Sequence, residues 1–342
     1  MKVAMYYSNS DVRLEDAPRP VAGPGEAVME VEASGICGSD VMEWYRRDKV
    51  PLVLGHEVAG RILEVGEGVS TIKPGDRVVA AHHVPCNTCH YCLNGHHTVC
   101  DTLRTTKFHP GGFAEFLRLP AINVERGVFR MPDSMSYAEG TFVEPLACVL
   151  RGQKASGVSL GKSVLVIGSG ISGALHIALA HALGAGLVVS TDINPSRMEM
   201  AEKLGADATL KADGDVPSGF RKLNSGRGAD VVILTAGAKP AIEQAFECVD
   251  RGGTILFFAP APEGTEIALP VNRLFWRNEI TLTSSYAANH EEHMAAMELI
   301  RSGRVRVDDM ITHRLPLEKA GDGFRLVAEG GESLKVILEP KT

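Results

Sequence analysis

Two rhythms of hydrophobic and polar positions divide the chain. Up to about residue 150, short apolar runs partly alternate with polar residues, as in "AVMEVEASGICG", "VAGRILEVGEGV" and "GDRVVAA", and Gly, Pro or Asp bounds each run. β-Branched residues in that period, broken by turn formers, predict short strands in an irregular β-barrel or sandwich-like domain. From about residue 160 the order changes. "SVLVIG" is a continuous apolar strand, "SGALHIALAHALG" has helical spacing and ends at Gly184, "LVVSTD" is a second strand and "SRMEMAEKLGAD" a second helix. "ADVVILTAG", "AIEQAFECVDRGG", "TILFFAP" and "EITLTSS" continue the alternation. Strands separated by helices at this spacing are joined by crossovers, which predicts a doubly wound parallel sheet. After Ser285 come a helix at about 290–302, another near 317–328 and a closing strand "KVILEP".

At 342 residues the chain has room for two domains, and its 44% hydrophobic and 23% charged residues suit a soluble globular protein with a sizeable core. A net charge of -7 gives no electrostatic reason to expect a nucleic acid or an anionic membrane as partner. The most apolar stretch, Gly173 to Val189, contains His176 and His181 and is shorter than a bilayer span, so it is expected to be a buried helix running into a strand. "MKVAMYYSNSD" turns polar too early for a signal peptide, and a cytoplasmic location is expected.

The cysteines sharpen the picture. There are seven, and four lie in "CNTCHYCLNGHHTVC", residues 86–100. In a large chain without a secretion signal, metal binding is favoured over a disulfide staple. Cys86, Cys89, Cys92 and Cys100 follow C-x2-C-x2-C-x7-C. Four thiolates complete a tetrahedral zinc and leave no open position, so such a site is structural. An iron–sulfur cluster would use the same four ligands, but nothing else in the chain suggests electron transfer. His90, His96 and His97 are then extra, and exposed loop positions are expected for them.

The end of the first strand in the second region carries Gly168-Ser169-Gly170-Ile171-Ser172-Gly173, with Asp192 nineteen residues later at the end of the next strand. GxGxxG alone is weak. Between a strand and a helix, with a carboxylate at that distance, it predicts a dinucleotide site: glycines for the turn and the close approach, the helix N-terminus for the pyrophosphate. Asp192 suits the adenosine ribose hydroxyls and would repel a 2′-phosphate, so NAD is expected over NADP. Arg197 either tempers that preference, lies along the adenine or is surface.

A second set of ligand types is scattered: Cys37 in "GICGSD", His56 and Glu57 in "LGHEVAG", and Glu144 in "FVEPLA". An incomplete protein cage of this kind is what a catalytic zinc needs, though spacing alone leaves ordinary structural roles open. Together these residues resemble the zinc-dependent medium-chain alcohol dehydrogenase family, most closely its sorbitol (polyol) and threonine dehydrogenase branches. "GICGSD", "PLVLGHEVAG", "VGEGVSTIKPGDRV", "CNTCHYC…C", "GGFAEF", "FVEPLACVL", "VLVIGSGISG" and "STDINPSR" run in family order, and "GRVRVDDMITHRLPLEKAGDGF" extends the match through the tail.

The resemblance implies an α/β plus β architecture. A GroES-like β-barrel catalytic domain would comprise residues 1–150 and 286–342, and a Rossmann NAD-binding domain, residues 151–285, would be inserted in it. It also implies two Zn²⁺ per chain, one catalytic and one structural, NAD as hydride acceptor, a secondary alcohol as substrate, and a homotetramer or homodimer. Cys37 and His56 match the catalytic zinc ligands. The third ligand is an acidic residue or Cys at the position of Glu144 or, in polyol-type members, the residue at Glu57. Ser39 matches the hydroxyl that passes the alcohol proton outward. Met42 stands where the family often has a histidine, so the relay beyond Ser39 needs ribose hydroxyls, water or another side chain. A threonine-type dehydrogenase would instead need an anion-pairing group, for which Arg46, Arg47 and Arg151 are candidates. A non-catalytic NAD-sensing zinc protein is the alternative of another class. A zinc-free quinone reductase would lack the Cys37/His56 pair and the cysteine lobe.

Overall fold

The strand Ser163–Ile167 is buried at every position, which explains why its sequence shows no polar alternation. Val164 and Val166 pack on one side with Val231, Ile233 and Leu256, and Leu165 and Ile167 on the other with Val232, Leu234 and Ile255. A parallel strand covered on both faces has no position for a polar side chain. In the computed structural model, which describes residues 1–341, this strand lies third in a six-stranded sheet. Across the sheet run Ala208–Lys211, Leu187–Asp192, Ser163–Ile167, Ala229–Leu234, Val249–Phe257 and Thr281–Ser284, all parallel. Chain order reverses at Ser163–Ile167, the switch point at which doubly wound sheets bind ligands. The crossovers carry the helices Ile171–Ala182, Pro195–Lys203, Val216–Leu223, Lys239–Cys248 and Val271–Phe275. These elements belong to one compact unit, Cys148–Tyr286.

Three elements of that unit escape a reading of hydrophobic rhythm, one of them the five-residue helix Val271–Phe275. The edge strand Ala208–Lys211 is only four residues long and half-exposed, so burial imposes no pattern on it. The helix Val216–Leu223 is instead signalled by its start, where Asp215 accepts a hydrogen bond from the Ser218 N–H and Pro217 sits in the first turn.

The second unit comprises Met1–Ala147 and the segment from Ala287 onward. Its seven-stranded sheet runs Ile311–Pro316, Lys335–Glu339, Ala27–Gly35, Glu57–Val65, Arg77–Ala80 and Val128–Arg130, with Phe116–Leu119 also paired to Ala27–Gly35. Met29, Val31, Val58, Ile62, Val78 and Leu117 form one core. Tyr6, Phe113, Phe324 and Leu338 form another, where the helix Ala320–Glu329 packs. Strand register places Gly35 opposite Glu57 on one side and opposite Ile337 on the other. The helix Val143–Ser156, which the strand rhythm of this region does not announce, carries Pro145 in its first turn, where it removes no helical hydrogen bond. Among the described residues, no helix is long and apolar enough to cross a membrane.

Candidate active site and metal centres

The four cysteines of the 86–100 segment converge, each Sγ within 4.8 Å of the others. Cys89 and Cys92 lie 3.6 Å apart, as do Cys86 and Cys100, far beyond a disulfide bond. Zinc–sulfur bonds of about 2.3 Å set tetrahedral edges of about 3.8 Å, so the cluster is already the size of a zinc cage. The N–H groups of Cys86 and Cys89 point at the Cys100 and Cys86 sulfurs. Hydrogen bonds from Thr88 draw the Cys86 thiol down to about 5, while burial drives Cys92 up to about 12. Only a cation makes four thiolates compatible in so small a space. Apart from cysteines, the lobe's buried core is Leu103 alone, with Ala287 against it. Such a segment needs the metal as its organiser. His90 and His96 are exposed as expected, whereas His97 is half-buried.

Cys37, His56 and Glu57 form a second convergent group, their ligand atoms within 4.8 Å of one another. Glu144 stands outside this triplet, half-buried as the second residue of the helix Val143–Ser156. Asp40, not singled out by spacing, organises the group. Its Oδ2 accepts the Cys37 N–H at 3.0 Å, and its Oδ1 lies 3.4 Å from His56 Nδ1. A carboxylate on Nδ1 fixes the ring and leaves Nε2 as the nitrogen available to a metal. Burial alone would depress His56, but the charge of the Asp40 carboxylate outweighs it and holds the imidazole well above its ordinary value. Burial likewise favours the neutral acid of Asp40, and His56 and Arg46 overcome that, so its carboxyl lies below the usual range. Arg46 is committed here: its Nη2 lies 3.7 Å from Asp40 Oδ1 and donates to the Ser39 carbonyl at 3.1 Å. Thiol, imidazole and carboxylate together fit a zinc ion with a position left open.

Two further histidines belong to this neighbourhood. The His82 ring lies 4.8 Å from that of His56 and 3.7 Å from that of His83. Burial pushes the His82 pKa well below its ordinary value, helped by the charges of His83 and His56, and pushes His83 down to about 4. Both are neutral at pH 7, and His82 Nδ1 is buried without a partner. The signal was "AAHHVPC", two histidines at the end of an apolar strand just before the cysteine lobe.

In the other unit, the glycine-rich turn takes the form the sequence requires. Gly168 has φ +99°, and a Cβ on Gly173 would strike the Gly168 carbonyl oxygen. Thr235 Oγ1 donates to that carbonyl at 2.8 Å. Gly170 caps the helix Ile171–Ala182, which Ile171 and Ser172 open, and a helix N-terminus of this kind presents N–H groups suited to a phosphate. Asp192 is buried, with Oδ2 accepting the Ser169 N–H at 2.7 Å and Oδ1 the Asn194 N–H at 2.8 Å. Each carboxylate oxygen keeps a second lone pair for a ribose hydroxyl. Arg197 is half-buried rather than on the open surface, and its guanidinium lies 3.8 Å from where a Cβ on Gly170 would sit.

Comparison with known proteins agrees with both units. The alcohol dehydrogenase GroES-like domain family matches residues 23–133, and the zinc-binding dehydrogenase family residues 173–302. The chain is 32% identical to sorbitol dehydrogenase of Gallus gallus over 340 residues, covering 96% of this chain and 93% of that one. Galactitol-1-phosphate dehydrogenase from Escherichia coli is similar in structure, with TM-score 0.87, 27% identity and coverage of 99% of this chain and 100% of that one. A zinc-binding dehydrogenase from Sinorhizobium meliloti bound to NADP gives TM-score 0.88 at 29% identity, covering 99% of each chain. The strand-rich unit is thus GroES-like, the parallel-sheet unit is of Rossmann type, and the cofactors are zinc and NAD(P). A likeness of this extent, carried by both halves of the catalytic machinery, settles the class: the chain belongs to the zinc-dependent medium-chain alcohol dehydrogenase family, on its sorbitol dehydrogenase-like branch.

Proposed function

We propose that the protein oxidises a secondary hydroxyl of a polyol, a sugar alcohol or a derivative of one, with NAD as acceptor. The observation that carries this reading is the convergence of Cys37, His56 and Glu57 with a neutral histidine pair beside them. Zinc held by those three side chains supplies Lewis-acid polarisation of a hydroxyl oxygen, and it lowers the pKa of that hydroxyl. Asp40 keeps His56 oriented as a ligand. Ser39 would take up the hydroxyl proton, and NAD, held at the glycine-rich turn, would supply the hydride acceptor. His82, whose Nδ1 has no partner, offers an uncharged hydrogen-bonding group, which suits a polyhydroxylated, uncharged carbon chain. A carboxylate-bearing amino alcohol is less well served, because Arg46 is already committed to Asp40 and the Ser39 carbonyl. The Cys86, Cys89, Cys92 and Cys100 cage holds a second, structural zinc. Screening polyols, polyol phosphates, amino alcohols and simple secondary alcohols for NADH formation tests the assignment. Polyols should be turned over fastest; turnover confined to amino alcohols would refute it.

For the cofactor, the reading assigns Asp192 to the ribose hydroxyls and predicts a preference for NAD. Arg197, close to Gly170, is the cation that a 2′-phosphate could use once the carboxylate is gone. Asp192→Gly should therefore move the ratio of kcat/KM for NAD over NADP by about tenfold or more towards NADP, roughly 1.4 kcal/mol or greater. Equal wild-type rates with both cofactors below saturation would remove the basis for this assignment.

The seven free cysteines suit a reducing compartment, and we place the protein in the cytoplasm. We also propose a homodimer or homotetramer. Leu269, Val271, Phe275 and Trp276 are exposed near the unpaired edge strand Thr281–Ser284, and Trp276 is 71% exposed. Apolar surface beside an open strand edge calls for a partner. Sedimentation that finds only monomer at micromolar concentration would refute this.

A further inference from the structure

Residues 81–86 join the two groups of ligand side chains. The segment starts at His82, whose ring lies 4.8 Å from that of His56, and ends at Cys86, the first cysteine of the four-sulfur cage. Its backbone is irregular, yet every one of its residues gives or accepts a hydrogen bond. Asn123, fully buried, donates Nδ2 to the carbonyl of Ala81 at 2.8 Å and to that of His82 at 3.1 Å. Arg126 donates to the carbonyl of Pro85 at 3.3 Å and to that of Cys86. Thr106 holds the middle of the strap. Its carbonyl accepts from His83 Nδ1 at 3.1 Å, and its hydroxyl accepts from the Val84 N–H at 3.0 Å. The same hydroxyl donates to the Leu103 carbonyl at 3.1 Å.

Thr106 closes the short helix Asp101–Thr105, which starts directly after Cys100. Cys86 and Cys100 are the first and last cysteines of the cage, and the Cys86 N–H points at the Cys100 sulfur. The strap is therefore tied to the cage twice, through the chain at Cys86 and through Thr106 from Cys100. Loop backbone is ordinarily mobile and solvated. Here each residue is pinned, which fixes where the His82 ring stands, and His82 Nδ1 is buried without a partner of its own. A buried polar atom left open calls for an explanation, and a ligand that completes its hydrogen bonding supplies one. We propose that Thr106 is a positioning residue for the substrate: together with the cysteine cage it fixes the strap, so that His82 meets a hydroxyl of the bound polyol. The inference rests on the reading of His82 as a polyol contact. The cage in this way sets substrate affinity as well as the stability of its own lobe.

The test measures, by calorimetry, the affinity of the NADH-loaded protein for polyols from glycerol to sorbitol. Both partners in that complex are reduced, so binding is read without turnover. Thr106→Val keeps the shape of the side chain and removes the hydroxyl. It should weaken polyol binding about threefold to tenfold, the worth of one hydrogen bond, with zinc per chain unchanged. Thr106→Ser, which keeps the hydroxyl, should bind as the wild type does. His82→Phe should weaken binding at least as much as Thr106→Val, and adding Thr106→Val to it should weaken binding no further. Wild-type affinity in folded Thr106→Val, or losses that multiply in the double variant, overturns the proposal. Should Thr106→Val fail to fold by circular dichroism, Thr106→Ala, which opens the Val84 N–H to water, carries the same expectation and the same refutation. Wild-type affinity in His82→Phe, or a wild type that binds none of these polyols, would overturn the polyol-contact reading itself, and this inference with it.

Discussion

Cys37→Ser is expected to abolish turnover and leave the fold intact, while Cys100→Ser is expected to loosen the protein before it harms the chemistry. The two cysteines sit in cages of opposite design. Cys37 belongs to an open donor set of one thiol, one imidazole and one carboxylate, within a unit that already has its own apolar cores. A serine hydroxyl is a poor substitute for a thiolate on zinc. Loss of the Lewis acid removes several kcal/mol of transition-state stabilisation, or about a thousandfold and more in kcat. Zinc per chain should fall by one, with little change in melting temperature. Cys100 is 1% exposed in a lobe whose core, besides the cysteines, is Leu103. Structural zinc contributes about 10–16 kcal/mol of folding free energy in small zinc-dependent peptides, so losing the fourth ligand exposes the segment to unfolding. Zinc per chain should again fall by one, but now with a lowered melting temperature or impaired assembly. Metal analysis and thermal denaturation of both variants decide the matter. If Cys100→Ser removed only activity and Cys37→Ser only unfolded the protein, the assignments would be reversed.

The sequence was most informative where local chemistry dictates backbone form. Gly168 and Gly173 are legible because a turn with φ +99° and a contact tighter than any Cβ allows can be met only by glycine. The cysteine cage is legible because four thiols within fifteen residues of a large, disulfide-free chain are spaced as only a metal requires. Parallel strands such as Ser163–Ile167 announce themselves by burial on both faces. What was missed depends on long-range placement. Lys335 lies 278 residues from Glu57, and only the pairing of three strands brings them together. Asp40 stands inside a recognised motif, yet its role appears only once His56 arrives from the neighbouring turn. His82 and His83 were not singled out along the chain, and only the fold sets the His82 ring beside His56 with His83 against it. Charged and polar partners of this kind leave no periodic trace along the chain.

Glu57→Gln should cost the protein its catalytic zinc, and Glu144→Gln should cost it speed. Both carboxylates compete for one metal. Cys37 and His56 joined by the two of them would fill four positions and close the ion to substrate unless its coordination expanded. The structure bears on the division, for Glu57 lies in the triplet with Cys37 and His56, and Glu144 does not. We therefore expect Glu57 as the direct ligand and Glu144 as the carboxylate that stands behind it or exchanges with it during turnover. A Gln at 57 is a weaker, neutral donor, and it also leaves the buried Lys335 ammonium without its counter-charge. Breaking a buried pair from one side costs about 3–5 kcal/mol, so a lower melting temperature should accompany the loss of zinc. A Gln at 144 should leave zinc in place and slow the chemical or release step by about tenfold to a hundredfold, as outer partners of metal ligands do. Zinc per chain, kcat and melting temperature for the two single variants separate these outcomes. Zinc loss in Glu144→Gln with zinc retained in Glu57→Gln would exchange the two roles. No change of metal or rate in either would mean that the catalytic ion sits elsewhere, since a carboxylate within ligand distance of it cannot be neutralised without consequence.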